Sequence, residues 1–212
     1  MTAPFELIYY AGVPGRGEHV RLFLEETGSS YTDITASLSM EECTDIVLKT
    51  LEGGKGNPPY YAPPLLRHGD LLISQTSNIL MYLGSKLGLT GSKEGDAYRV
   101  NSFALTALDG LNNEVHDCHH PISIELYYED QKEESARRSK EWIKLRLPKH
   151  LTYWEKVLGS EKAEKGPWLL GKEFTYADIV LFQASNLFLL SIYKAGLPSI
   201  ATPNFRKLFI AD

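Results

Sequence analysis

The sequence predicts an α/β unit that is followed by an all-helical unit. Strand and helix signals alternate over the first ~85 residues, and strand signals stop after about residue 90. Gly88, Gly91 and Gly95 cluster where the pattern changes, as expected at a boundary between two units. In the first part, the predicted order of elements is strand, helix, strand, helix, hairpin and helix. This order predicts a small mixed sheet with helices on its faces.

In the α/β part, glycine and proline separate short apolar runs from stretches with helical periodicity. His68-Gly69-Asp70 lies between two apolar runs and predicts a hairpin turn. The predicted strands are residues 5–10, 31–34, 65–67 and 71–73, and the predicted helices are one that ends at Gly28, one over 40–51 and one over 79–87.

The second part contains three long helical patterns. The first spans residues 96–119 and ends before Pro121. The second spans 130–158 and contains Pro148, which is expected to kink or break it because proline lacks the backbone N–H. Thr175 and Asp178 form a capping pair at the start of the third helix, which is apolar enough to be buried.

Composition excludes several classes of function. The formal net charge of -5 provides no basic field that would attract nucleic acid. No apolar run is long enough for a membrane span, and the first residues lack a signal peptide. Cys43 and Cys118 are far apart and form no C-x-x-C motif, so no dithiol redox centre or zinc ribbon is expected. Two such thiols are typical of a reducing cytoplasm.

Three segments, in this order, resemble the cytosolic glutathione transferases of the tyrosine type, the alpha, mu, pi and sigma group. They are YYAGVPGRGEHVR at 9–21, PLLRHGDLLISQTSNIL at 64–80 and FTYADI at 174–179. The resemblance implies a thioredoxin-like, glutathione-binding domain over residues 1–87. It also implies an all-helical domain over 93–212 that holds a second substrate. Residues 203–208 predict the start of a late helix that stops abruptly at Asp212. The resemblance implies that a related chain continues for about one more helix, so this chain is expected to be short at its C-terminus.

The resemblance makes Tyr10 the predicted catalytic residue, because counting back from Arg21 in the family pattern reaches Tyr10 and not Tyr9. Glutathione attacks as a thiolate, and a hydrogen-bond donor aimed at its sulfur favours that charged form. Arg16, at the start of the first helix, is predicted to support the thiolate. The alternative is that the two tyrosines are core aromatics of a strand and that Arg16 is a solvated surface residue.

Five further residues match positions that bind glutathione in the family. Gln75 and Thr76 match the pair that holds the γ-glutamyl end at a helix start, although they could be a plain helix cap. Pro63 precedes Pro64, which resembles the family's cis-proline, and Pro63 offers no N–H to the cysteinyl part. Lys55 matches a lysine that pairs with the glycyl carboxylate, and Asp109 matches an aspartate that reaches glutathione in a neighbouring subunit. Either charge could instead be simply solvated.

The resemblance also implies a homodimer, since Tyr60 matches an aromatic residue that inserts into the partner subunit. The alternative is that Tyr60 lies on its own domain. His119 is predicted to line the pocket of a small electrophilic substrate. Although His116, Asp117, Cys118, His119 and His120 are consecutive, no metal site is predicted, because neighbouring residues on a helix point in different directions.

The predicted reaction is conjugation of glutathione, the co-substrate, to a small electrophile. A glutathione-dependent isomerase, peroxidase or ether-cleaving enzyme on the same scaffold is an alternative, because fold alone does not separate these activities. A non-catalytic binding protein is the other alternative. Such a relative is expected to lack the residues that match Tyr10 or the Gln75-Thr76 pair, and this sequence has both.

Overall fold

A computed structural model describes residues 3–163 and 166–194, without the side chains of residues 162 and 187–194. The chain divides into two compact units, Met1–Leu89 and Thr90–Asp212. The helix predicted over 203–208 lies outside the described residues.

The first unit contains a four-stranded sheet in the order β2-β1-β3-β4. β1 pairs with β2 in parallel and with β3 antiparallel, and β3 and β4 form the antiparallel hairpin that the sequence predicts. The strands are β1 (Phe5–Ile8), β2 (Tyr31–Asp33), β3 (Leu65–His68) and β4 (Leu71–Ser74).

Three helices pack with this sheet, α1 (Gly15–Glu26), α2 (Met40–Leu51) and α3 (Thr76–Leu87). α2 has the predicted bounds and starts with a capping box between Ser39 and Glu42. α1 packs against α3. A core cluster joins Ile8, Leu65 and Leu72 of the sheet to Cys43 and Val47 of α2. This is the thioredoxin-like α/β unit that the sequence predicts.

The clearest differences from the predicted bounds are the end of β1 and the start of α3. β1 ends at Ile8 and not at residue 10, because its last paired residues are Leu7, opposite Asp33 of β2, and Ile8, opposite Leu65 of β3. α3 starts at Thr76, three residues before the predicted start, because the apolar periodicity begins only at Ile79 and the first turn is formed by polar residues.

The second unit is helical throughout its described elements. Two of its long helical runs contain a segment of wider π-helical turns, which breaks each run into two α-helices. None of the helices that the structure describes is both long and apolar enough to cross a membrane. The elements are α4 (Asp96–Leu105), a π segment (Thr106–Asn112), α5 (Asn113–His119), a 3-10 turn (Tyr128–Gln131), α6 (Lys132–Glu141), a second π segment (Trp142–Arg146), α7 (Leu147–Leu158), a 3-10 turn (Glu161–Ala163) and α8 (Tyr176–Lys194).

Pro148 interrupts its helical run as predicted. The regular α-helical pattern changes to wider turns over Trp142–Arg146, and α7 begins again at Leu147 with the proline in its first turn. A proline is tolerated there because the first N–H groups of a helix have no partner within the helix. The backbone therefore continues in a helical direction across the proline.

The start of α8 has the predicted capping pair. The buried Asp178 carboxylate accepts hydrogen bonds from the N–H of Thr175 at 2.9 Å and from its hydroxyl at 2.9 Å. It also accepts one from the N–H of Leu169 at 2.8 Å, so the same side chain fixes the preceding loop to the helix.

Candidate functional site

Tyr9 and Tyr10 follow β1 and pack against different helices. The Tyr9 side chain is 7% exposed and lies against the first turn of α1. A Cβ atom added to Gly17 would lie 2.5 Å from the ring, so only glycine allows this approach. The Tyr10 ring is half-buried on the core cluster that includes Cys43 and Val47 of α2.

The N-terminus of α1 points at the Tyr9 hydroxyl. The backbone N–H of Arg16 donates to that hydroxyl at 3.0 Å, and the Arg21 guanidinium lies 5.7 Å from the ring centroid. Burial raises the pKa of Tyr9, against the opposing effects of the Arg16 N–H and the Arg21 charge, so the phenol stays protonated. The Arg16 N–H occupies one lone pair of the Tyr9 hydroxyl oxygen. The Tyr9 hydroxyl can therefore still donate its own hydrogen to another group.

Gln75 and Thr76 lie at the junction of α3 and α1. Gln75 is exposed and has a φ of 70°, a left-handed backbone conformation that a residue other than glycine rarely adopts. The buried Thr76 hydroxyl donates to the backbone carbonyl of Arg16 at 3.2 Å. Its hydrogen is therefore already used, and the N–H groups of the first turn of α3 are the donors that remain for a carboxylate.

The peptide bond between Pro63 and Pro64 is cis, as the resemblance implies for Pro64. Pro64 directly precedes β3, and the half-buried Pro63 stands one residue further from the strand. Because Pro63 has no N–H, its carbonyl is the only backbone hydrogen-bonding group that it can offer.

Lys55 occupies the tip of a tight turn between Gly54 and Asn57. Positive φ angles of 52° at Lys55 and 85° at Gly56 are those of a type I′ turn. The Asn57 side chain fixes this turn to the hairpin by donating to the Asp70 carbonyl at 2.9 Å and accepting from the Leu72 N–H at 3.1 Å. The Lys55 side chain is exposed.

The structure places Tyr60 within its own unit. Its ring packs against the core cluster that includes Cys43 and Val47, and its hydroxyl donates to the Leu72 carbonyl at 2.6 Å. The next residue, Tyr61, is 95% exposed. The interface role of Tyr60 therefore stays a prediction, and Tyr61 is the aromatic residue of this loop whose side chain is presented to solvent.

Asp109 and His119 belong to the helical unit. Asp109 is exposed on the π segment Thr106–Asn112, and the half-buried His119 ring lies 6.2 Å from that of Tyr128. Within the described residues, no group of three or more metal-ligating side chains forms a metal site, and this includes the histidine-rich end of α5.

Sequence reasoning missed a polar cluster in this unit. The Glu114 carboxylate accepts from Trp142 Nε1 at 2.8 Å, binds the Arg146 guanidinium and contacts His150 Nε2 at 3.0 Å. Burial alone would raise the pKa of Glu114, but these three partners hold it at about 2. The spacing of Trp142, Arg146 and His150 by four residues, on one face of a helical run, is the signal that could have indicated a shared partner.

Comparisons with known proteins show similarity to glutathione transferases. The family profile described as Glutathione S-transferase, C-terminal domain, matches residues 116–209. Glutathione S-transferase Mu 2 of Rattus norvegicus is 29% identical over 173 residues, which are 82% of this chain and 71% of that protein. These matches support assignment of the chain to the cytosolic glutathione transferases.

Other glutathione transferases match more of the sequence. Glutathione S-transferase P of Bos taurus is 28% identical over 199 residues, 92% of this chain and 80% of that transferase. The Pi-class glutathione S-transferase of Onchocerca volvulus has the same fold, with a TM-score of 0.68 at 23% identity over 96% of this chain and 83% of that one. The glutathione transferase fold, a thioredoxin-like unit and an all-α unit, is thus the fold of this chain.

Proposed function

We propose that this protein is a glutathione transferase that conjugates the glutathione thiolate to small electrophilic compounds, with a tyrosine hydroxyl as the activating donor. Membership of the family supports the reaction. The observation that carries the mechanism is the Arg16 N–H bond to the Tyr9 hydroxyl, at 3.0 Å. This bond aims the phenol at the start of α1 and leaves its hydrogen available. A neutral donor near the sulfur stabilises the thiolate relative to the thiol.

Two tyrosines compete for this role. Spacing within the family pattern favours Tyr10, whereas the geometry favours Tyr9. The Tyr9 hydroxyl lies at the N-terminus of α1. The Thr76 hydroxyl joins the first turn of α3 to the same residue by donating to the Arg16 carbonyl. The Tyr10 ring packs towards α2. Arg16 is the third candidate, because its charge at a helix start also favours an anion.

Glutathione binding is assigned to the residues that surround this point in the first unit. We propose that the first turn of α3, at Gln75 and Thr76, holds the γ-glutamyl carboxylate. Pro63 then meets the cysteinyl part through its carbonyl, and Lys55 pairs with the glycyl carboxylate. Asp109 and His119 of the helical unit are proposed to act on glutathione in a neighbouring subunit and on the electrophile, respectively. A homodimer in a reducing cytoplasm completes the proposal, and both cysteines are free and buried.

The test compares wild type with Tyr9→Phe and Tyr10→Phe. Each variant keeps the ring and removes only the hydroxyl. Thiolate absorbance of bound glutathione is titrated against pH, and turnover is measured with glutathione and an aryl halide. If Tyr9 is the donor, Tyr9→Phe raises the pKa of the bound thiol by about one to two units, from loss of a bond to a charged group worth about 1.5–3 kcal/mol. Turnover at neutral pH then falls roughly ten- to a hundred-fold.

Tyr10→Phe serves as the matched control, with an unchanged thiol pKa. The reverse pattern assigns the role to Tyr10. An unchanged thiol pKa in both variants makes Arg16 the first candidate. A wild-type protein that neither lowers the pKa of added glutathione nor consumes the aryl halide contradicts the proposed reaction. It leaves a non-catalytic binding role or another glutathione-dependent activity.

A further inference from the structure

The backbone at the two tyrosines leaves the sheet but remains buried. The last pairings of β1 are Leu7 with Asp33 and Ile8 with Leu65. The polar groups of the next residues therefore lie beyond both neighbouring strands. Buried N–H and C=O groups without partners are costly, so other groups must satisfy them.

Two side chains from outside the sheet take the place of a strand. The Thr35 hydroxyl accepts from the Tyr9 N–H at 3.4 Å and donates to the Tyr9 carbonyl. The Cys43 thiol donates to the same carbonyl at 3.4 Å and accepts from the Ala11 N–H at 3.3 Å. Both side chains are fully buried, at 0% exposure. Thr35 follows β2 and Cys43 lies in the first turn of α2, so two separate elements hold one short segment.

We propose that Thr35 and Cys43 are positioning residues for the transferase reaction: they hold the backbone of Tyr9, Tyr10 and Ala11 and thereby aim the phenol hydroxyls of both tyrosines. The inference rests on the proposed function, and it holds whichever tyrosine is the donor. A small rotation of this backbone is enlarged at the hydroxyl, which lies at the far end of the ring. Misplacement of a reacting group by about 1 Å can lower a rate by up to about 100-fold.

The chain offers matched substitutions for the test. Thr35→Val removes the hydroxyl and keeps the side-chain shape, Thr35→Ser restores a hydroxyl, and Cys43→Ala removes the thiol. Thr50→Val is the control, because the Thr50 hydroxyl donates to the Ile46 carbonyl at 2.7 Å inside α2 and not to the backbone of residues 9–11. The readouts are the pKa of the glutathione thiol in the binary complex, kcat and KM, the free energy of unfolding in urea, and amide hydrogen exchange at Tyr9 and Ala11.

Thr35→Val is expected to raise the bound-thiol pKa by about half a unit to one unit and to lower kcat about 5- to 10-fold, with a change of less than about 2-fold in KM for glutathione. Exchange at Tyr9 increases. Cys43→Ala acts in the same direction and increases exchange at Ala11. Thr35→Ser recovers wild-type values, and Thr50→Val loses stability with no change in thiol pKa.

The proposal is overturned if folded Thr35→Val and Cys43→Ala have the thiol pKa and the kcat of wild type although their amide exchange is faster. Thr35 and Cys43 would then only stabilise the fold. If Thr35→Val does not fold, Cys43→Ala decides alone. If the wild type shows no bound thiolate at all, the proposed function has failed. The positioning of the two tyrosines by Thr35 and Cys43 is then tested by the ring carbon NMR signals of Tyr9 and Tyr10. These signals must shift in Cys43→Ala and not in Thr50→Val.

Discussion

Pro63 stands where the family resemblance places a residue whose backbone N–H meets the cysteinyl part of glutathione, and a proline has no N–H. The cis bond to Pro64 presents the segment before β3 as the resemblance implies. One of the two expected backbone hydrogen bonds is nevertheless impossible. We therefore expect weaker glutathione binding than the other residues of the site would provide.

Pro63→Leu is predicted to tighten glutathione binding. The variant supplies the missing N–H, and one hydrogen bond contributes about 0.5–1.5 kcal/mol, which corresponds to roughly a 2- to 12-fold lower Kd. Isothermal titration with glutathione measures this change, and Pro59→Leu, at an exposed proline of the same loop, is the control. An unchanged or higher Kd for Pro63→Leu would contradict this description of the site.

Gly17→Ala is predicted to destabilise the first unit although alanine is the better helix former. In an open helix the change would stabilise by up to about 1 kcal/mol. Here the new Cβ would lie 2.5 Å from the Tyr9 ring, and overpacking of this kind costs about 1–3 kcal/mol. Urea unfolding measures the difference, with Ser85→Ala on the exposed side of α3 as the control. A stabilised Gly17→Ala protein would show that the ring is not held against α1.

At the scale of the helices, Glu114 of α5 contacts residues of the helical run that consists of the second π segment and α7. A single carboxylate binds Trp142, Arg146 and His150, which are spaced along that run. Bonds to a charged acceptor are stronger than neutral ones. The Glu114 carboxylate therefore adds tertiary contacts along the stretch where Pro148 and the wider turns interrupt the regular helix.

The stabilisation from Glu114 is predicted to depend on pH. Its pKa falls from 4.5 to about 2 in the folded protein. The ionised carboxylate therefore stabilises the fold fully above about pH 4.5, and this contribution disappears as the pH falls through about 2. Glu114→Gln should lose about 1–2 kcal/mol of unfolding free energy at pH 7, and the difference from wild type should shrink below pH 4.5.

Denaturant unfolding at several pH values measures this difference. Glu141→Gln, at an exposed position of α6, is the control and should differ little from wild type at any pH. A Glu114→Gln deficit that stays constant from pH 7 down to pH 3 would show that the carboxylate charge does not stabilise the contact.

At the scale of the whole molecule, the proposed homodimer requires a surface that two copies share. The loop before β3 carries two adjacent tyrosines with opposite environments. The Tyr60 hydroxyl donates to the Leu72 carbonyl, and its ring packs against the core cluster that includes Cys43 and Val47. The Tyr61 side chain, in contrast, is 95% exposed. Large exposed aromatic side chains are typical of protein interfaces.

Light scattering at micromolar concentration is predicted to give twice the 23.8 kDa mass of one chain. Tyr61→Ser should shift the equilibrium towards the monomer, because it removes an aromatic anchor. Tyr60→Phe should lower stability by about 1 kcal/mol, from one lost hydrogen bond, and leave the dimer intact. Monomeric wild-type protein would contradict the dimer, and dissociation caused only by substitutions at Tyr60 would return the interface role to Tyr60.

The sequence by itself determined the features that depend on neighbouring residues. The bounds of α2, the hairpin around His68-Gly69-Asp70 and the capping pair of Thr175 and Asp178 follow local rules, since periodicity, turn residues and caps act within a few positions. The motifs also indicated the fold and the family, because their order spans most of the chain.

Only the tertiary structure decided which groups meet across long separations. Counting residues selects Tyr10, which stays a prediction, and only the tertiary structure shows that the Arg16 N–H reaches the Tyr9 hydroxyl. Thr35 and Cys43 reach the same segment from 26 and 34 residues away. No local pattern predicts such contacts, because they depend on where strands end and helices begin in three dimensions. The four-residue spacing of Trp142, Arg146 and His150 indicates a shared partner, but only the fold shows that this partner is Glu114.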